Sequence, residues 1–333
     1  LEQRIKQRYS PRILKDAMHR YGISRERMKE LDGFESFIYE YSRGSGDFIL
    51  RIGHSARRSE ALIHGEVDWM NYLAGKGASV ARAVRSDAGR LVEAFDDGHG
   101  DQFLATAFVR AAGKPPRQAG WTPALFETYG EVLGEMHALT KDYRPSNPAW
   151  KRPEWDDPTI QDIEQNLPAA ETAVIEKYRE LIEHLETLPR DRDSYGLIHF
   201  DAHGSNFLVD RDGRITLFDF DDCSYGWFIY DIAIVLFYMV AGREDLRAFT
   251  DEFMTHFLRG YRKRNRIDPA WLKELPCFLK MREIDLYAVI HRSYDVENLE
   301  NPWCERFMRG RRSKIEQGIP YLDFEFETLR QHL

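Results

Sequence analysis

Cysteine is scarce: three in 333 residues, at Cys223, Cys277 and Cys304, far apart and without a C-x-x-C pair. An odd, scattered set argues against a disulfide framework or a cysteine-based zinc module and fits a reducing compartment. Long apolar runs are missing too. The longest, Ile232 to Ala241, is well short of the ~20 residues that span a bilayer. The charged opening Leu1-Glu2-Gln3-Arg4 has no apolar signal core. The expectation is a soluble, cytoplasmic protein with no membrane partner. Positive charge is not in excess: 47 Lys and Arg against 55 Asp and Glu leave a net charge of −8. That argues against a nucleic-acid partner, because phosphate backbones need a cationic face. The chain carries no internal repeat and no low-complexity tract.

What is present is a globular composition, with 43% hydrophobic, 13% aromatic and 31% charged residues. Such a length suggests two domains. Ser10-Pro11 reads as a helix start, a capping hydroxyl followed by proline at the first helical position, and Gly22 ends that helix. The aromatic and β-branched runs 37–41 and 48–52 flank the turn 42–47 and read as a hairpin. Residues 59–74 keep helical spacing, with Leu62, Glu66, Trp69 and Leu73 on one face. Strands follow at 90–95 and 102–109, and the loop Ala111-Ala112-Gly113-Lys114-Pro115-Pro116 breaks the pattern. This divides the chain into a small, mostly β domain at 1–109 and a mostly helical one at 110–333. Within the second, residues 195–222 switch to short apolar runs, with Asp210-Arg211-Asp212-Gly213 as a hairpin turn.

That interruption carries the chemistry. It reads His199-Phe200-Asp201-Ala202-His203-Gly204-Ser205-Asn206-Phe207 and then Phe218-Asp219-Phe220-Asp221-Asp222. Phosphoryl transfer asks little covalent work of a protein; it needs positioning and charge neutralisation. One carboxylate must orient an attacking hydroxyl, and a second carboxylate with an amide oxygen must hold Mg²⁺, which prefers hard oxygen ligands. Asp201 lies in the loop before the first strand, Asn206 where that strand begins, and Asp219 at the end of its partner.

His-x-Asp, a following Asn206, a hairpin and an Asp at a strand end resemble the aminoglycoside phosphotransferase and choline kinase group of the protein-kinase-like fold. His203 matches the second histidine of the family pattern H-G-D-x-H-x-x-N, and Tyr230-Asp231-Ile232-Ala233 matches an Asp that opens a buried helix. Phe200 departs from the pattern, standing where glycine is common. The resemblance extends over roughly residues 30 to 300 and is strongest at 197–234. It implies an α+β, two-lobed fold: a small antiparallel-sheet lobe with one main helix that binds nucleotide, and a larger helical lobe. The implied activity is ATP- and Mg²⁺-dependent transfer of the γ-phosphate to a hydroxyl of a small molecule such as an amino alcohol, amino acid, sugar or aminoglycoside. It implies Asp201 as catalytic base, Asn206 and Asp219 as Mg²⁺ ligands, and His199 and Asp231 as braces of the loop, with His203 as a further support.

A kinase-like small lobe also needs a cation on a strand, held by a carboxylate on the next helix. Arg51 occupies that position in place of lysine, and its planar fork suits phosphate. Glu66 is the expected partner, because an unpaired carboxylate on an apolar face is costly; Glu60, at the start of the same helix, is the competitor. No G-x-G-x-x-G is present, and Gly33-Phe34-Glu35-Ser36 stands where a phosphate-covering loop would lie, with Ser36 as a candidate contact. By analogy the backbone from Ala107 to Val109 meets the adenine edge. Acceptor candidates are Asp221, Trp227, Glu283 and Asp285. Three alternatives remain: a Ser/Thr protein kinase of the same fold, a metal-dependent hydrolase using His199, Asp201, His203 and Asp219, and a nucleotide-binding pseudoenzyme.

Overall fold

The computed structural model describes residues 3–159 and 162–333; Leu1 and Glu2, half of the charged opening, lie outside the described residues. Its strands are β1 (Met28–Leu31), β2 (Phe37–Arg43), β3 (Gly46–His54), β4 (Ala83–Val84), β5 (Glu93–Asp96), β6 (Gln102–Val109), β7 (Tyr195–Ile198), β8 (Phe207–Val209), β9 (Ile215–Leu217) and β10 (Ser224–Trp227). The longer helices are α1 (Pro11–Arg20), α2 (Glu60–Gly75), α3 (Pro123–Thr140), α4 (Thr172–Glu186), α5 (Phe228–Val240), α6 (Leu246–Tyr261) and α7 (Leu275–Ser293). The chain divides into two compact units. The N-terminal unit runs to Lys114 and adds Asp142–Arg152 and Phe207–Asp221; the C-terminal unit holds Pro115–Lys141, Pro153–Asn206 and Asp222–Leu333.

The N-terminal unit is built on an antiparallel sheet ordered β1-β2-β3-β6-β4, with β5 also on β6. The β2–β3 hairpin runs in register from Phe37 opposite Ile52 to Arg43 opposite Gly46. Gly44 turns the chain with φ of 62°, a conformation that costs glycine nothing. Tyr39, Tyr41, Leu50, Ile52, Phe103, Ala105 and Ala107 bury one side of the sheet against Ile13, Ala17 and Tyr21 of the α1 region. Pro11 opens α1, but Ser10 caps it by backbone alone, with no side-chain bond. The strand expected at 90–95 is shorter and later, at 93–96, and β1 and β4 were not anticipated. Ser59 caps α2 by accepting from the Leu62 amide. The β8–β9 hairpin belongs here because Ala81 N–H donates to the Leu217 carbonyl at 2.7 Å and Lys114 N–H to the Val209 carbonyl at 2.9 Å.

The C-terminal unit is helical apart from the ribbon in which β7 pairs antiparallel with β10. Helices α3 and α6 cross closely because Gly130 and Gly260 lie at the contact. A Cβ on Gly130 would overlap the Phe257 carbonyl, and one on Gly260 the Glu127 carbonyl. Helix α5 is apolar nearly all round and buried over twelve of its positions, as a helix enclosed on every side must be. Among the described residues no helix is long and apolar enough to cross a membrane. The α+β class expected from the sequence is the class observed.

Candidate active site

In the N-terminal unit Arg51 on β3 and Glu66 on α2 form a fork-to-fork ion pair. Arg51 Nη1 donates to Glu66 Oε1 at 2.8 Å and Nη2 to Oε2 at 2.6 Å. The side chains are 9% and 1% exposed, and the guanidinium lies over the Phe108 ring, 5.1 Å from its centroid. Burial opposes the Arg51 charge, but Glu66, Asp221 and Asp219 together raise its pKa above the ordinary value. Glu60, the competing carboxylate, instead lies 3.7 Å from His64 one turn on. Asp219 and Asp221 each lie 3.8 Å from Arg51 Nη1.

Asp219 follows β9 in the left-handed region, φ 64°, with its side chain half exposed. Aspartate tolerates this conformation better than most residues. Asp221 is different: it is partly buried, accepts from Arg57, lies 3.7 Å from Arg58 Nε, and its carbonyl accepts from Arg152 at 2.7 Å. Burial pushes its carboxyl up, but Arg57, Arg58 and Arg51 hold it well below the usual carboxylate range. Arg57 also pairs with Glu35, the residue before Ser36 in the β1–β2 turn. Ala107 is fully buried between Leu50 and Val84 in the sheet. The Val109 and Arg110 amides donate to the Arg82 and Asp47 carbonyls.

In the C-terminal unit the loop after β7 is fixed from below by Asp231 at the start of α5. Its Oδ2 accepts from the His199 amide at 2.8 Å and its Oδ1 from the Phe200 amide at 2.8 Å. His137 Nε2 donates to Asp231 Oδ2 at 3.1 Å, while His137 Nδ1 meets the Tyr261 hydroxyl at 2.8 Å. Asn265 donates to that hydroxyl in turn. This chain of buried bonds explains how Phe200 can stand where glycine is common. Its φ is 68°, a conformation that strains a side chain, yet the ring is 2% exposed and packs edge-on to Tyr230.

Asp201 sits above that base with both oxygens engaged. Oδ1 accepts from Arg282 Nη2 at 2.5 Å. Oδ2 accepts from Asn206 Nδ2 at 2.9 Å and lies 3.3 Å from His203 Nε2. His203 Nδ1 accepts the Ser205 amide, which places the ring proton on Nε2, facing the carboxylate. Burial opposes ionisation of Asp201, but His203 and Arg282 hold its pKa well below the usual range. Asn206 donates from Nδ2 to both the carbonyl and the carboxylate of Asp201. That fixes the amide orientation and leaves Oδ1 as a hard acceptor, the donor type that suits Mg²⁺. His199 Nδ1 accepts the Asp201 amide at 3.3 Å.

The structure thus gathers His199, Asp201, His203, Asn206 and Asp231 in one unit and Arg51, Glu66, Asp219 and Asp221 in the other. Of the acceptor candidates, Asp285 joins the Asp201 cluster through Arg282, at 2.6 Å. Burial, with Asp222 and Asp201 nearby, pushes its pKa up to about 6 despite Arg282. Trp227 is wholly buried among Trp155, Tyr195 and Phe278, its indole N–H on the Pro189 carbonyl. Glu283 is buried between Lys280 and Arg311. Among the described residues, the clusters close enough to share an ion are His184–Glu274–Cys277 and His54–Asp97–Asp101; the set the hydrolase alternative requires is not one of them. Sequence reasoning missed Arg57, Arg58, His137, Tyr238 and Arg282. A histidine among the helical-period apolar residues of α3 was the available signal for His137.

Residues 27–275 match the model of the family described as "Phosphotransferase enzyme family". The chain is 39% identical over 325 residues to the amicoumacin kinase of Bacillus subtilis (strain 168), covering 96% of each chain. A solved structure of an amicoumacin kinase in complex with AMP-PNP, Ca²⁺ and Ami superposes with a TM-score of 0.93 at 38% identity, over 99% of this chain and 100% of that one. A microcompartment-associated aminopropanol kinase superposes with a TM-score of 0.73 at 25% identity, over 92% of this chain and 97% of that one.

Proposed function

This chain belongs to the phosphotransferase enzyme family, and from that premise we propose that it is a kinase transferring the γ-phosphate of ATP to a hydroxyl of amicoumacin or a compound built like it. The observation that carries the reaction type is the Asp201 carboxylate, held ionised by its neighbours and pinned through both oxygens. The acceptor follows from likeness to an amicoumacin kinase along 96% of both chains.

Asp201 receives the acceptor's hydroxyl. As the acceptor oxygen bonds to the γ-phosphorus, the bond from that phosphorus to the bridging oxygen breaks and ADP leaves with the electron pair. The hydroxyl proton passes to Asp201. A carboxylate held so far below its usual range is a weak base, which suits a loose transition state in which the proton leaves late. Arg51, aligned by Glu66, would meet the α- and β-phosphates of ATP. Asn206 Oδ1 and the Asp219 carboxylate would be ligands for Mg²⁺, which would neutralise charge on the transferring phosphate. The backbone from Ala107 to Val109 remains the candidate for the adenine edge, with the Val109 amide engaged on the Arg82 carbonyl.

The test is ADP release by the purified chain with ATP and Mg²⁺, across amicoumacin, 1-amino-2-propanol, 5-hydroxylysine, homoserine, kanamycin and a Ser/Thr peptide mixture, with the product identified by mass. ADP release tied to amicoumacin, with one phosphate added to it, is the expected result. Release stimulated only by a small amino alcohol, an amino acid or the peptides would overturn the acceptor assignment.

A further inference from the structure

Arg282 lies on α7, one turn before Asp285, and its side chain is 11% exposed. Its guanidinium reaches three partners: Asp285 Oδ2 at 2.6 Å, the Tyr238 hydroxyl of α5 at 2.7 Å and Asp201 Oδ1 at 2.5 Å. It also lies over the Tyr238 ring, 5.3 Å from the centroid. Two helices therefore aim one arm of a rigid fork at the catalytic loop. A carboxylate offers about four lone-pair directions. Arg282, Asn206 and His203 fill three around Asp201, which leaves one for an incoming hydroxyl.

We infer that Arg282 is a positioning residue for the transfer, holding the Asp201 carboxylate in the rotation that leaves one lone pair open to the acceptor. This rests on the reading of Asp201 as base. A purely structural role fits the cluster poorly. Arg282 Nε and Asp285 Oδ1 are buried without a hydrogen-bond partner among the described residues, and well-packed apolar residues commonly stabilise such a place at least as well as buried ions. The arrangement satisfies Asp201 while leaving its own supports incompletely bonded.

The experiment compares Arg282→Gln, Arg282→Lys, Tyr238→Phe and Asp201→Asn, each confirmed folded by circular dichroism. The readouts are kcat and KM for acceptor and ATP in the ADP-release assay. A misplaced carboxylate costs on the order of 10²-fold in rate, so Arg282→Gln is expected to lose about that factor in kcat with both KM values within about threefold of wild type. Arg282→Lys recovers part of the loss. In an Arg282→Gly protein, guanidinium ion restores turnover where urea at the same concentration does not. Tyr238→Phe, which loosens the fork but keeps its charge, gives a smaller fall in kcat and decides the matter should Arg282→Gln not fold. Wild-type kcat in Arg282→Gln, or in Tyr238→Phe if that variant must decide, overturns the inference. If Asp201→Asn is inactive while these remain active, only the role of Arg282 falls. If Asp201→Asn is itself active, the base assignment falls first.

Discussion

The Arg51–Glu66 pair allows a prediction with an internal control. Arg51→Met removes both hydrogen bonds of a carboxylate that is 1% exposed, leaving a buried charge without its cation. Breaking a buried pair in that way costs about 3–5 kcal/mol. Glu66→Gln keeps the shape, and Arg51 retains Asp219 and Asp221 at 3.8 Å. The cost there is nearer that of one charge-assisted bond, about 1.5–3 kcal/mol. The double variant Arg51→Met/Glu66→Met removes both members of the pair, and apolar replacement of a buried pair is often close to neutral; Asp221 keeps Arg57 and Arg58. Arg51→Met should therefore be the least stable of the three, and the double variant should recover most of the stability that Arg51→Met loses, the non-additivity expected of two residues in direct contact. Urea unfolding gives the stabilities, and hydrogen exchange over residues 46–54 and 60–75 assigns the loss to the N-terminal unit. Single variants within about 0.5 kcal/mol of wild type, the range of an ordinary surface change, would mean that the pair does not behave as a buried ion pair.

Phe200→Gly relieves roughly 1 kcal/mol of backbone strain but deletes a buried ring whose removal costs about 3–5 kcal/mol. The net loss in urea unfolding should be about 2–4 kcal/mol, and a variant more stable than wild type would contradict it. His137 is fully buried, and burial lowers its pKa from 6.5 despite the bond to Asp231. Below pH 6.5 the unfolded chain takes up a proton that the folded state refuses, so His137 contributes stability above that pH that is lost on acidification. The stability difference between wild type and His137→Gln should shrink from pH 7 to 5.5; comparing the two cancels the opposite slope of Asp285, whose pKa is raised. A constant difference would count against it. Asp219→Ala should raise the Mg²⁺ concentration for half-maximal ADP release by more than about tenfold, because Mg²⁺ is held by few carboxylates; an unchanged metal titration would remove Asp219 from the ligand set.

Within 197–222 the β8–β9 hairpin and the nearness of Asp201 to Asn206 were legible because both are local: the two residues lie five apart on one loop, and the hairpin is set by a single turn sequence. Arg51 and Glu66 were legible because a carboxylate on an apolar helix face demands a cation, and the adjacent strand offers one. The anchors that come from distant sequence were not. Arg282 stands in the charge-rich stretch Arg282-Glu283-Ile284-Asp285, yet besides Asp285 it is held by Asp201 and Tyr238 from two other segments. His137 and Tyr261 look like ordinary core until Asp231 is seen between them and the loop. Trp227 and Glu283 drew notice as an aromatic and a charge near the site, but both have their polar atoms engaged inside the helical packing. Strands as short as Ala83–Val84 leave no periodicity to read, since pairing with β6 creates them.

The assignment of Asp201 as the group that receives the acceptor's proton is tested most directly by single-turnover transfer from ATP by Asp201→Asn, measured beside its nucleotide affinity. A positioned base contributes about 10²–10⁴-fold. The variant should fall by that factor while binding the ATP analogue within a few-fold of wild type. Transfer at near the wild-type rate with the nucleotide still bound would mean that Asp201 is not the base.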